Sequence, residues 1–452
     1  DLGADAGIVI TASHNPPEYN GKKLNPAGGA HIVPPGDAAV EAHMSAAVLP
    51  PRGAPTPSGG GAVIEIGPEA IERYLAHITG CLGLSSQPGA ALRVVYTPLH
   101  GVGAEVLVAL FERLGLPAPV VVASQAEPDG AFPTVTFPNP EEPGALDAAF
   151  DLAAETAADL VIANDPDADR LAVAVPTPDG WRRLTGDELG ALLADCLLRR
   201  RAAAAEREPV GVTRTAVSSR LRRGALHVAI AGDPVAVART VVSSQLLRAI
   251  AAEAGAACVE TLTGFKWIAR AADGRPERLL FGYEEALGYA VSDAVRDKDG
   301  ISAAALAVQL ATELRAAGSS LLERLDDLHR RHGVHATGQV TLRFPPAEAA
   351  AGPAAATSRL RANPPAEIAG HPVAEVVDYS GPAGPLPPTD MLAFRLAGGD
   401  RVIVRPSGTE PKLKIYVETV QGVSGDDLAA ARRHAQERLG RIAEAVRPLV
   451  TG

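Results

Sequence analysis

The chain has 452 residues, of which 46% are hydrophobic and 21% are charged, so it has a globular composition and is too long for a single core. Its formal net charge of −11 argues against nucleic acid or an anionic membrane as the main partner. No apolar run is long enough to cross a bilayer, and the three cysteines have no metal or redox spacing. We expect a cytoplasmic protein without nucleic-acid or membrane partners, as a monomer or a homodimer.

Strands alternate with helices along most of the chain, which predicts largely parallel sheets with helices on their faces. Strands are predicted at 7–11, 92–98, 118–124 and 159–165, in "VTLRF", and in the hairpin "DRVIVRPSGTEPKLKIYVE". Helices are predicted at 102–115, after a capping box from Thr185 to Glu188, at 301–318, at 320–332, and from about 425.

Pro/Gly-rich stretches and changes of pattern divide the chain into four predicted domains. The fold class is multi-domain α/β, with three α/β mixed-sheet domains and a C-terminal α+β domain. The predicted domains cover 1–85, 86–205, 206–333 and 334–452. The segment at 202–238 contains a near copy of "RTVVSSQLLR", and we interpret it as an insertion.

Ser13 follows the first strand in the sequence "GIVITASHNPP". The prolines keep the preceding residue out of the α region, so Ser13 is presented on a loop. Ligands of open α/β sheets bind at the carboxyl ends of strands, where a serine is either a turn residue or a nucleophile.

Three alternating aspartates follow the strand at 159–165, in "NDPDADR". Asp165, Asp167 and Asp169 can converge on one hard cation, and oxygen ligands at this density suit Mg²⁺ or Ca²⁺. Arg170 would balance their charge or hold a phosphate. A solvated acidic loop is the plainer alternative, and repulsion among three carboxylates disfavours it.

Two adjacent glutamates, Glu284 and Glu285, lie between glycines in "GYEEALGY". Paired carboxylates in a loop can hold sugar hydroxyls through charge-assisted hydrogen bonds. An exposed acidic turn explains the same pattern equally well.

The fourth motif is the hairpin loop "RPSGTEPK". Arg405 supplies a planar guanidinium, and hydroxyls and backbone N–H groups that can surround an anion come from Ser407, Gly408 and Thr409. A plain hairpin turn accounts for the glycine but leaves the arginine, the serine and the threonine unexplained.

These four motifs fit one chemistry. A serine nucleophile, a carboxylate cage for Mg²⁺, a pair of acids for hydroxyl groups and a separate phosphate-binding loop indicate phosphoryl transfer. The expected partner is therefore a phosphorylated sugar.

The motifs resemble those of the α-D-phosphohexomutase family, which includes phosphoglucomutase and phosphomannomutase. "TASHNP" is similar to the family's phosphoserine loop, "DPDADR" to its magnesium loop, "GYEEALGY" to its sugar loop and "RPSGTEP" to its phosphate loop. They occur in the family's order, one per predicted domain. "TGFKW" and "GYEEALGY" are most similar to the phosphoglucomutase-2-type branch, some members of which prefer pentose phosphates.

The resemblance implies a reaction cycle. Ser13 rests as a phosphoserine, with Mg²⁺ bound by its phosphate and by Asp165, Asp167 and Asp169. It donates the phosphoryl group to a sugar monophosphate, which gives a hexose 1,6-bisphosphate that also serves as activator. The bisphosphate reorients and returns its other phosphate to Ser13. The leading substrate pair is glucose 1-phosphate and glucose 6-phosphate.

The resemblance also implies roles for further residues. Lys23 stands where the family has a general acid/base lysine, His14 would orient the phosphoserine, and Lys266 would contact substrate. Arg170 is placed with the catalytic residues, and Glu284, Glu285 and the loop from Arg405 with the substrate-binding ones.

Two departures from the family pattern affect these expectations. Ala286 stands where many members have serine, which removes one hydroxyl contact. The opening strand and the substrate-phosphate motif of the first domain are absent. The apolar run at 7–11 is typical of a central parallel strand, and here we expect its faces to be left in water. We therefore expect the chain as written to be aggregation-prone and less active than a longer version.

Three alternatives remain open. Within the same class, the substrate could belong to a phosphomannomutase or a phosphopentomutase. A phosphatase of the Asp-x-Asp type would use "DAD" as its nucleophile, which leaves Ser13 and the phosphate loop unexplained. The third alternative is a non-catalytic sugar-phosphate-binding fragment, because of the absent N-terminal segment.

Overall fold

The computed structural model describes residues 3–47, 64–83, 92–207, 233–293, 295–344, 352–382, 386–407, 412–425 and 427–451. Within these ranges the strands form four sheets, of two, five, four and six strands in chain order. The five- and four-stranded sheets mix parallel and antiparallel pairs, whereas the six-stranded sheet is antiparallel throughout. This confirms the predicted multi-domain α/β class with an α+β C-terminal part.

The first sheet is a two-stranded antiparallel ladder in which Ala6 lies opposite Pro26. Its elements are β1 (Ala6–Ile10), β2 (Lys22–Pro26) and the helix α1 (Gly36–Ala46). Ile8, Val9 and Ile10 of β1 are 67%, 45% and 67% exposed in the described structure. That the chain as written is aggregation-prone and less active stays a prediction. The described partner strand is antiparallel and not parallel, because the Ser13 loop returns the chain alongside β1.

The second sheet carries the aspartate motif. Its elements are α2 (Glu69–Leu82), β3 (Val94–Thr97), α3 (Gly103–Leu114), β4 (Val120–Val121), α4 (Asp147–Glu155), β5 (Leu160–Ala163), β6 (Ala172–Thr177) and β7 (Gly180–Arg183). The strand order is β4-β3-β5-β6-β7. The pairs β4–β3 and β3–β5 are parallel, and the pairs β5–β6 and β6–β7 are antiparallel. The strand predicted at 118–124 is shorter than expected, because the chain turns at Ala123–Gln125 and the Gln125 carbonyl accepts the N–H of His100.

The third sheet carries the glutamate motif. Its elements are α5 (Gly186–Arg207), β8 (Val235–Thr240), α6 (Leu246–Glu253), β9 (Ala257–Thr261), α7 (Phe265–Ile268), β10 (Arg278–Glu284), β11 (Gly288–Ala290), α8 (Gly300–Ala316) and α9 (Leu321–His332). The strand order is β11-β10-β8-β9, with β8 parallel to both of its neighbours. The predicted capping box is present, since the Glu188 N–H donates to Thr185 Oγ1 at 3.1 Å and the Thr185 N–H donates to Glu188 Oε2 at 3.0 Å. Most of the predicted insertion at 202–238 lies outside the described residues.

The fourth sheet forms the C-terminal part. Its elements are β12 (Val334–Arg343), α10 (Gly352–Ala362), β13 (Glu367–Ile368), β14 (His371–Asp378), β15 (Leu392–Leu396), β16 (Arg401–Pro406), β17 (Lys412–Gln421) and α11 (Leu428–Thr451). The strand order is β12-β17-β16-β15-β14-β13. Helices α10 and α11 cover a separate hydrophobic core on this sheet.

One hydrophobic core joins the second and third sheets. Helix α8 lies at its centre and is buried at every residue from Gly300 to Thr312. The sequence "ISAAALAVQLAT" is rich in alanine, so α3, α5 and α9 can pack closely around α8. The aspartate and glutamate motifs are therefore held in fixed relative positions by shared packing.

The predicted domain boundaries stay predictions. The boundary at 85/86 lies outside the described residues, and the boundary at 205/206 falls in the last turn of α5. That helix packs against β10, α6, α8 and α9. No helix in the described parts of the chain is both long and apolar enough to span a bilayer.

A buried ion cluster joins the C-terminal sheet to the third sheet. Glu418 of β17 accepts hydrogen bonds from Arg401 Nε at 2.7 Å, His335 Nδ1 at 2.9 Å, Ser244 Oγ at 2.8 Å and the Gln245 N–H at 2.7 Å. Burial opposes ionisation of Glu418, but Arg401 and His335 outweigh it and hold the pKa of this carboxyl well below its usual range. The cluster therefore stabilises the docked C-terminal part.

We expect Glu418→Gln to lower the free energy of unfolding by about 3 kcal/mol, because it leaves Arg401 buried without its counter-charge. Since the folded pKa of Glu418 is depressed, its contribution is complete above the ordinary carboxyl pKa of about 4.3 and is lost as the pH falls further. The wild-type protein should therefore lose stability at acid pH more steeply than the variant, which urea titrations at several pH values will show.

The matched control is Glu375→Gln on β14. Glu375 pairs with Arg395 at 2.8 Å, but their side chains are 53% and 56% exposed. Exposed pairs of this kind contribute about 0–1 kcal/mol. Equal losses in the two variants would show that the buried cluster adds nothing beyond an exposed salt bridge.

Candidate active site

The Ser13 loop directly follows β1, which ends at Ile10. Ser13 has a φ of 52°, in the left-handed region that is uncommon for residues with a Cβ. Its N–H donates to Thr11 Oγ1 at 2.8 Å, and the Asn15 N–H donates to the Ala12 carbonyl at 3.1 Å. Local hydrogen bonds thus hold a strained residue, a feature that clusters at functional sites.

The aspartate loop follows β5 and is closed on itself. Asn164 Nδ2 donates to the Arg170 carbonyl at 2.5 Å, and the Arg170 N–H donates to Asp165 Oδ1 at 3.0 Å. Ala168 has a φ of 58°, which reverses the chain between the last two aspartates. As a result, one oxygen from each of Asp165, Asp167 and Asp169 lies within 4.8 Å of the others.

The structure brings Ser13 directly onto this loop. Its Oγ lies 3.1 Å from Asp165 Oδ2, 3.1 Å from Asp167 Oδ1 and 3.0 Å from His14 Nδ1. The hydroxyl has one proton, so it donates to one of these acceptors at a time. Two distant segments, one following β1 and one following β5, therefore meet at a single hydroxyl.

Two lysines balance the aspartates. Lys23 Nζ donates to Asp167 Oδ2 at 3.0 Å and to Asp169 Oδ2 at 2.6 Å, and Lys298 Nζ donates to Asp169 Oδ2 at 2.6 Å. Burial alone would lower the pKa of Lys23, but Asp169 and Asp167 outweigh it and raise the pKa above its ordinary value. In this arrangement the aspartates favour the protonated form of Lys23.

Burial shapes the ionisation of the remaining groups. It raises the pKa of Asp165, and the neighbouring Asp169 and Asp167 add to the effect. Burial and the charge of Arg170 lower the pKa of His14 to about 4, so His14 is neutral at neutral pH. A neutral imidazole beside Ser13 Oγ can orient the hydroxyl without adding charge.

The donor set fits a divalent cation. All the candidate ligands are carboxylate or hydroxyl oxygens, which hard cations prefer. Asp169 Oδ1 is buried and has no hydrogen-bond partner among the described residues, so it is free to coordinate a cation. The aspartate triad could therefore bind a metal ion, with Lys23 and Lys298 adjacent to it.

The glutamate loop packs against the aspartate loop. The Leu171 N–H donates to the Leu287 carbonyl at 3.0 Å, and Arg170 forms a β-bridge with Gly288. Gly186 permits the close approach of α5, since a Cβ there would lie 2.0 Å from the carbonyl oxygen of Glu285. The loop is thus fixed between two sheets.

The two glutamates of this loop differ in their surroundings. Glu285 Oε2 accepts hydrogen bonds from Thr240 Oγ1 at 3.2 Å and Ser243 Oγ at 3.0 Å. Burial, with the charges of Glu284 and Asp187, raises the pKa of Glu285 to about 7. Burial also raises the pKa of Glu284, while Lys298 and Arg170 oppose that rise.

The C-terminal loop lies next to the "TGFKW" segment. Arg405 Nη1 donates to Thr263 Oγ1, and the Ser407 N–H donates to the Lys412 carbonyl at 2.8 Å. The Lys266 ammonium is 5.8 Å from the centre of the Trp267 ring. Gly408 and Thr409, predicted to surround a phosphate, lie outside the described residues.

A cleft of about 610 Å³ lies between residues that follow Ser13, the glutamate loop and the C-terminal sheet. Lys266, Arg405 and Ser407 do not line it. Three of the predicted site residues line it: His14, Arg170 and Glu285. Several further cations also line it: Arg183, Arg343, Lys412 and Lys414. Four acidic residues line it too: Glu141, Glu142, Asp187 and Glu285, so the cleft carries both signs of charge.

The sequence analysis assigned no role to several of these groups. Lys298 was missed although its segment "VRDKDGIS" contains the only lysine between Lys266 and Lys412. Thr11, whose Oγ1 donates to Asp167 Oδ2 at 3.2 Å, was treated as part of the strand. The arginines and lysines of the cleft wall carry no local signal, since they are spread over three segments.

Comparison with known proteins gives matches along most of the chain. Four domain profiles of phosphoglucomutase/phosphomannomutase match it in order: alpha/beta/alpha domain I at 1–49, domain II at 72–180, domain III at 185–331 and the C-terminal domain at 351–435. The third profile begins at 185 and so includes α5, whereas the sequence analysis placed that helix in the second domain.

Individual relatives agree on the family and differ in named substrate. A Haemophilus influenzae protein named "probable phosphomannomutase" is 40% identical over 91% of this chain and 77% of its own length. Human phosphopentomutase is 33% identical over 97% of this chain and 72% of its own length. A solved phosphoglucomutase/phosphomannomutase family protein from Burkholderia thailandensis has a TM-score of 0.66 at 21% identity, covers 98% of this chain and 76% of its own, and shows the shared fold.

The motifs, the ordered domain profiles and the 40% identity over most of the chain lead to one conclusion. This protein belongs to the phosphoglucomutase/phosphomannomutase family and is an intramolecular phosphotransferase of the isomerase class.

Proposed function

We propose that the protein interconverts a sugar 1-phosphate and a sugar 6-phosphate through a phosphorylated Ser13. The observation that carries this proposal is the position of Ser13 Oγ, 3.1 Å from both Asp165 and Asp167, beside two lysines that neutralise the aspartates. A hydroxyl at the edge of such a cluster is placed to form an Oγ–P bond and to lose it again.

The proposed roles follow the geometry. Phosphorylated Ser13 donates its phosphoryl group to a hydroxyl of the sugar monophosphate, and the proton of that hydroxyl passes through Lys23 to Ser13 Oγ. The bisphosphate then returns its other phosphoryl group to Ser13 Oγ, and the serine proton passes through Lys23 to the sugar oxygen that is left. Neutral His14 orients Ser13 Oγ. Arg170 offers a guanidinium to the phosphoryl oxygens at the mouth of the aspartate loop.

Asp165, Asp167 and Asp169 would hold Mg²⁺ together with a Ser13-bound phosphate oxygen. The ion would neutralise charge on the transferring phosphoryl group. Two features of this chain support the assignment: the converging carboxylates and the unpartnered oxygen of Asp169. Hexose 1,6-bisphosphate would phosphorylate Ser13 at the start of the cycle.

The cleft supports a substrate with an anionic group at each end. Arg170 lies at the Ser13 end, and Lys412, Lys414 and Arg343 lie on the C-terminal sheet. We propose that Glu284, Glu285 and Lys266 contact the sugar between them. The loop of Arg405, Ser407, Gly408 and Thr409 would bind the phosphate that is not being transferred.

The preferred sugar is proposed as glucose, with mannose and pentose phosphates as alternatives. The named relatives include phosphomannomutase, phosphopentomutase and phosphoglucomutase. The deciding experiment compares turnover of glucose, mannose and ribose 1-phosphates at saturating hexose bisphosphate. A kcat/KM for glucose 1-phosphate that is at least tenfold higher than for the other two supports the proposal. A higher kcat/KM for mannose or ribose 1-phosphate would make that sugar the preferred substrate and overturn the proposal for glucose.

Ser13→Ala should abolish mutase turnover, by at least about a thousandfold, because no other group can carry the phosphoryl intermediate. Mass spectrometry after incubation with glucose 1,6-bisphosphate should find one phosphate on wild-type Ser13 and none on the variant. Ser319→Ala, between α8 and α9, is the control and should behave as wild type. Phosphate on an aspartate would indicate the phosphatase alternative.

Asp167→Asn should weaken Mg²⁺ binding at least about tenfold, because the side chain keeps its shape and loses one of three charges. Calorimetric titration measures the affinity, and kcat should fall more than the affinity for sugar phosphate. Asp151→Asn on the exposed face of α4 is the matched control. Loss of sugar-phosphate affinity alone would make the loop a substrate contact and not a metal site.

Arg405→Lys should raise KM for sugar phosphate about tenfold and leave Ser13 phosphorylation intact, because lysine keeps the charge but loses the bidentate geometry. Arg395→Lys on the neighbouring β15 is the matched control, since Arg395 forms an exposed pair with Glu375. An unchanged KM in Arg405→Lys would show that this loop is only a hairpin turn and does not bind the substrate phosphate.

A further inference from the structure

The turn at 241–245 is one of the contacts between the C-terminal sheet and the third sheet. It follows β8 and precedes α6. Arg401 donates from Nη1 to the Val241 carbonyl at 2.6 Å and from Nη2 to the Ser243 carbonyl. The Ser244 hydroxyl donates to Glu418. Two buried charged residues of the C-terminal sheet, Arg401 and Glu418, therefore hold this turn in place.

Ser243 faces the other way from the same turn. Its hydroxyl donates to Glu285 Oε2 at 3.0 Å and accepts from the Glu285 N–H at 3.2 Å. Thr240 Oγ1 lies 2.7 Å from Ser243 Oγ and 3.2 Å from Glu285 Oε2. Ser243 thus contacts both the backbone and the carboxylate of one residue in the glutamate loop.

The position of Ser243 is itself strongly restrained. The residue is fully buried, and its carbonyl accepts from Arg239 Nη1 at 3.0 Å as well as from Arg401. A hydroxyl held this firmly is a fixed partner for the Glu285 carboxyl group. Glu285 reaches the cleft, whereas Ser243 is absent from the residues that line it.

We propose that Ser243 is a positioning residue for sugar binding: it fixes the Glu285 carboxylate in the cleft and is itself held by Arg401 of the C-terminal sheet. This rests on the proposed function, in which Glu285 contacts the sugar. Ser243 contacts no substrate atom and acts only through Glu285.

Ser243→Ala should raise KM for glucose 1-phosphate about tenfold and change kcat less than about threefold, because the Glu285 carboxyl group loses one of its two hydroxyl donors. Calorimetry with glucose 1-phosphate as the probe should show a similar loss in affinity. Phosphorylation of Ser13 should be retained. If Ser243→Ala fails to fold, Thr240→Val is the second variant. It removes the other hydroxyl donor to Glu285 without changing the shape of the side chain, and it should also raise KM.

Ser244→Ala is the matched control, since it removes an equally buried hydroxyl from the same turn but one that donates to Glu418. It should lower thermal stability and leave KM within about twofold of wild type. An equal rise of KM in both serine variants would mean that the turn acts through general stability, and the proposal would be overturned.

A double-mutant cycle separates this inference from the proposed function. If Ser243 acts through Glu285, then adding Ser243→Ala to Glu285→Gln should change KM less than about twofold. A tenfold further loss would show that Ser243 acts independently and would overturn the inference. If Glu285→Gln itself leaves KM unchanged, the sugar contact assigned to Glu285 fails, and the inference fails with it.

Discussion

The structure of the site depends on neutralising three carboxylates that the fold forces together. Oxygens of Asp165, Asp167 and Asp169 lie within 4.8 Å of one another, where each pair of charges repels by about 3 kcal/mol at an effective dielectric of about 20. Lys23, Lys298 and Arg170 supply the opposing charge from three separate segments. The Ser13 loop, the aspartate loop and the start of α8 are thereby drawn to one point.

That arrangement requires the second and third sheets to be rigidly joined. The shared core around α8 provides the rigidity, because α8 is buried from Gly300 to Thr312 and begins two residues after Lys298. Asp299 caps the helix, and its carboxylate accepts the hydroxyl of Tyr74 from α2 at 2.8 Å. Lys298, which pairs with Asp169, and Asp299, which caps α8, are therefore adjacent residues. The packing of α8 thus also fixes the position of the Lys298 charge.

The C-terminal part is attached differently. It has its own core and meets the third sheet through buried polar groups, chiefly Glu418 and Arg401, and through a smaller apolar cluster. That cluster joins Val241 and Leu262 to Tyr379 and Met391. The C-terminal sheet thereby brings cations, among them Lys414, to the wall of the cleft.

The sequence by itself determined the fold class, the family and the four loops, because each depends on local pattern: alternating strands and helices, and short motifs such as "NDPDADR". The convergence of Ser13 with the aspartates was inferred from the resemblance and not from spacing, since residues about 150 positions apart share no local signal. Tertiary structure alone decided that Lys298 joins Asp169, that Ser243 holds Glu285, and that β4 ends after two residues. The physical reason is the same in each case. A hydrogen bond or ion pair between distant segments depends on how sheets and helices pack. The residue pattern of any one segment does not determine that packing.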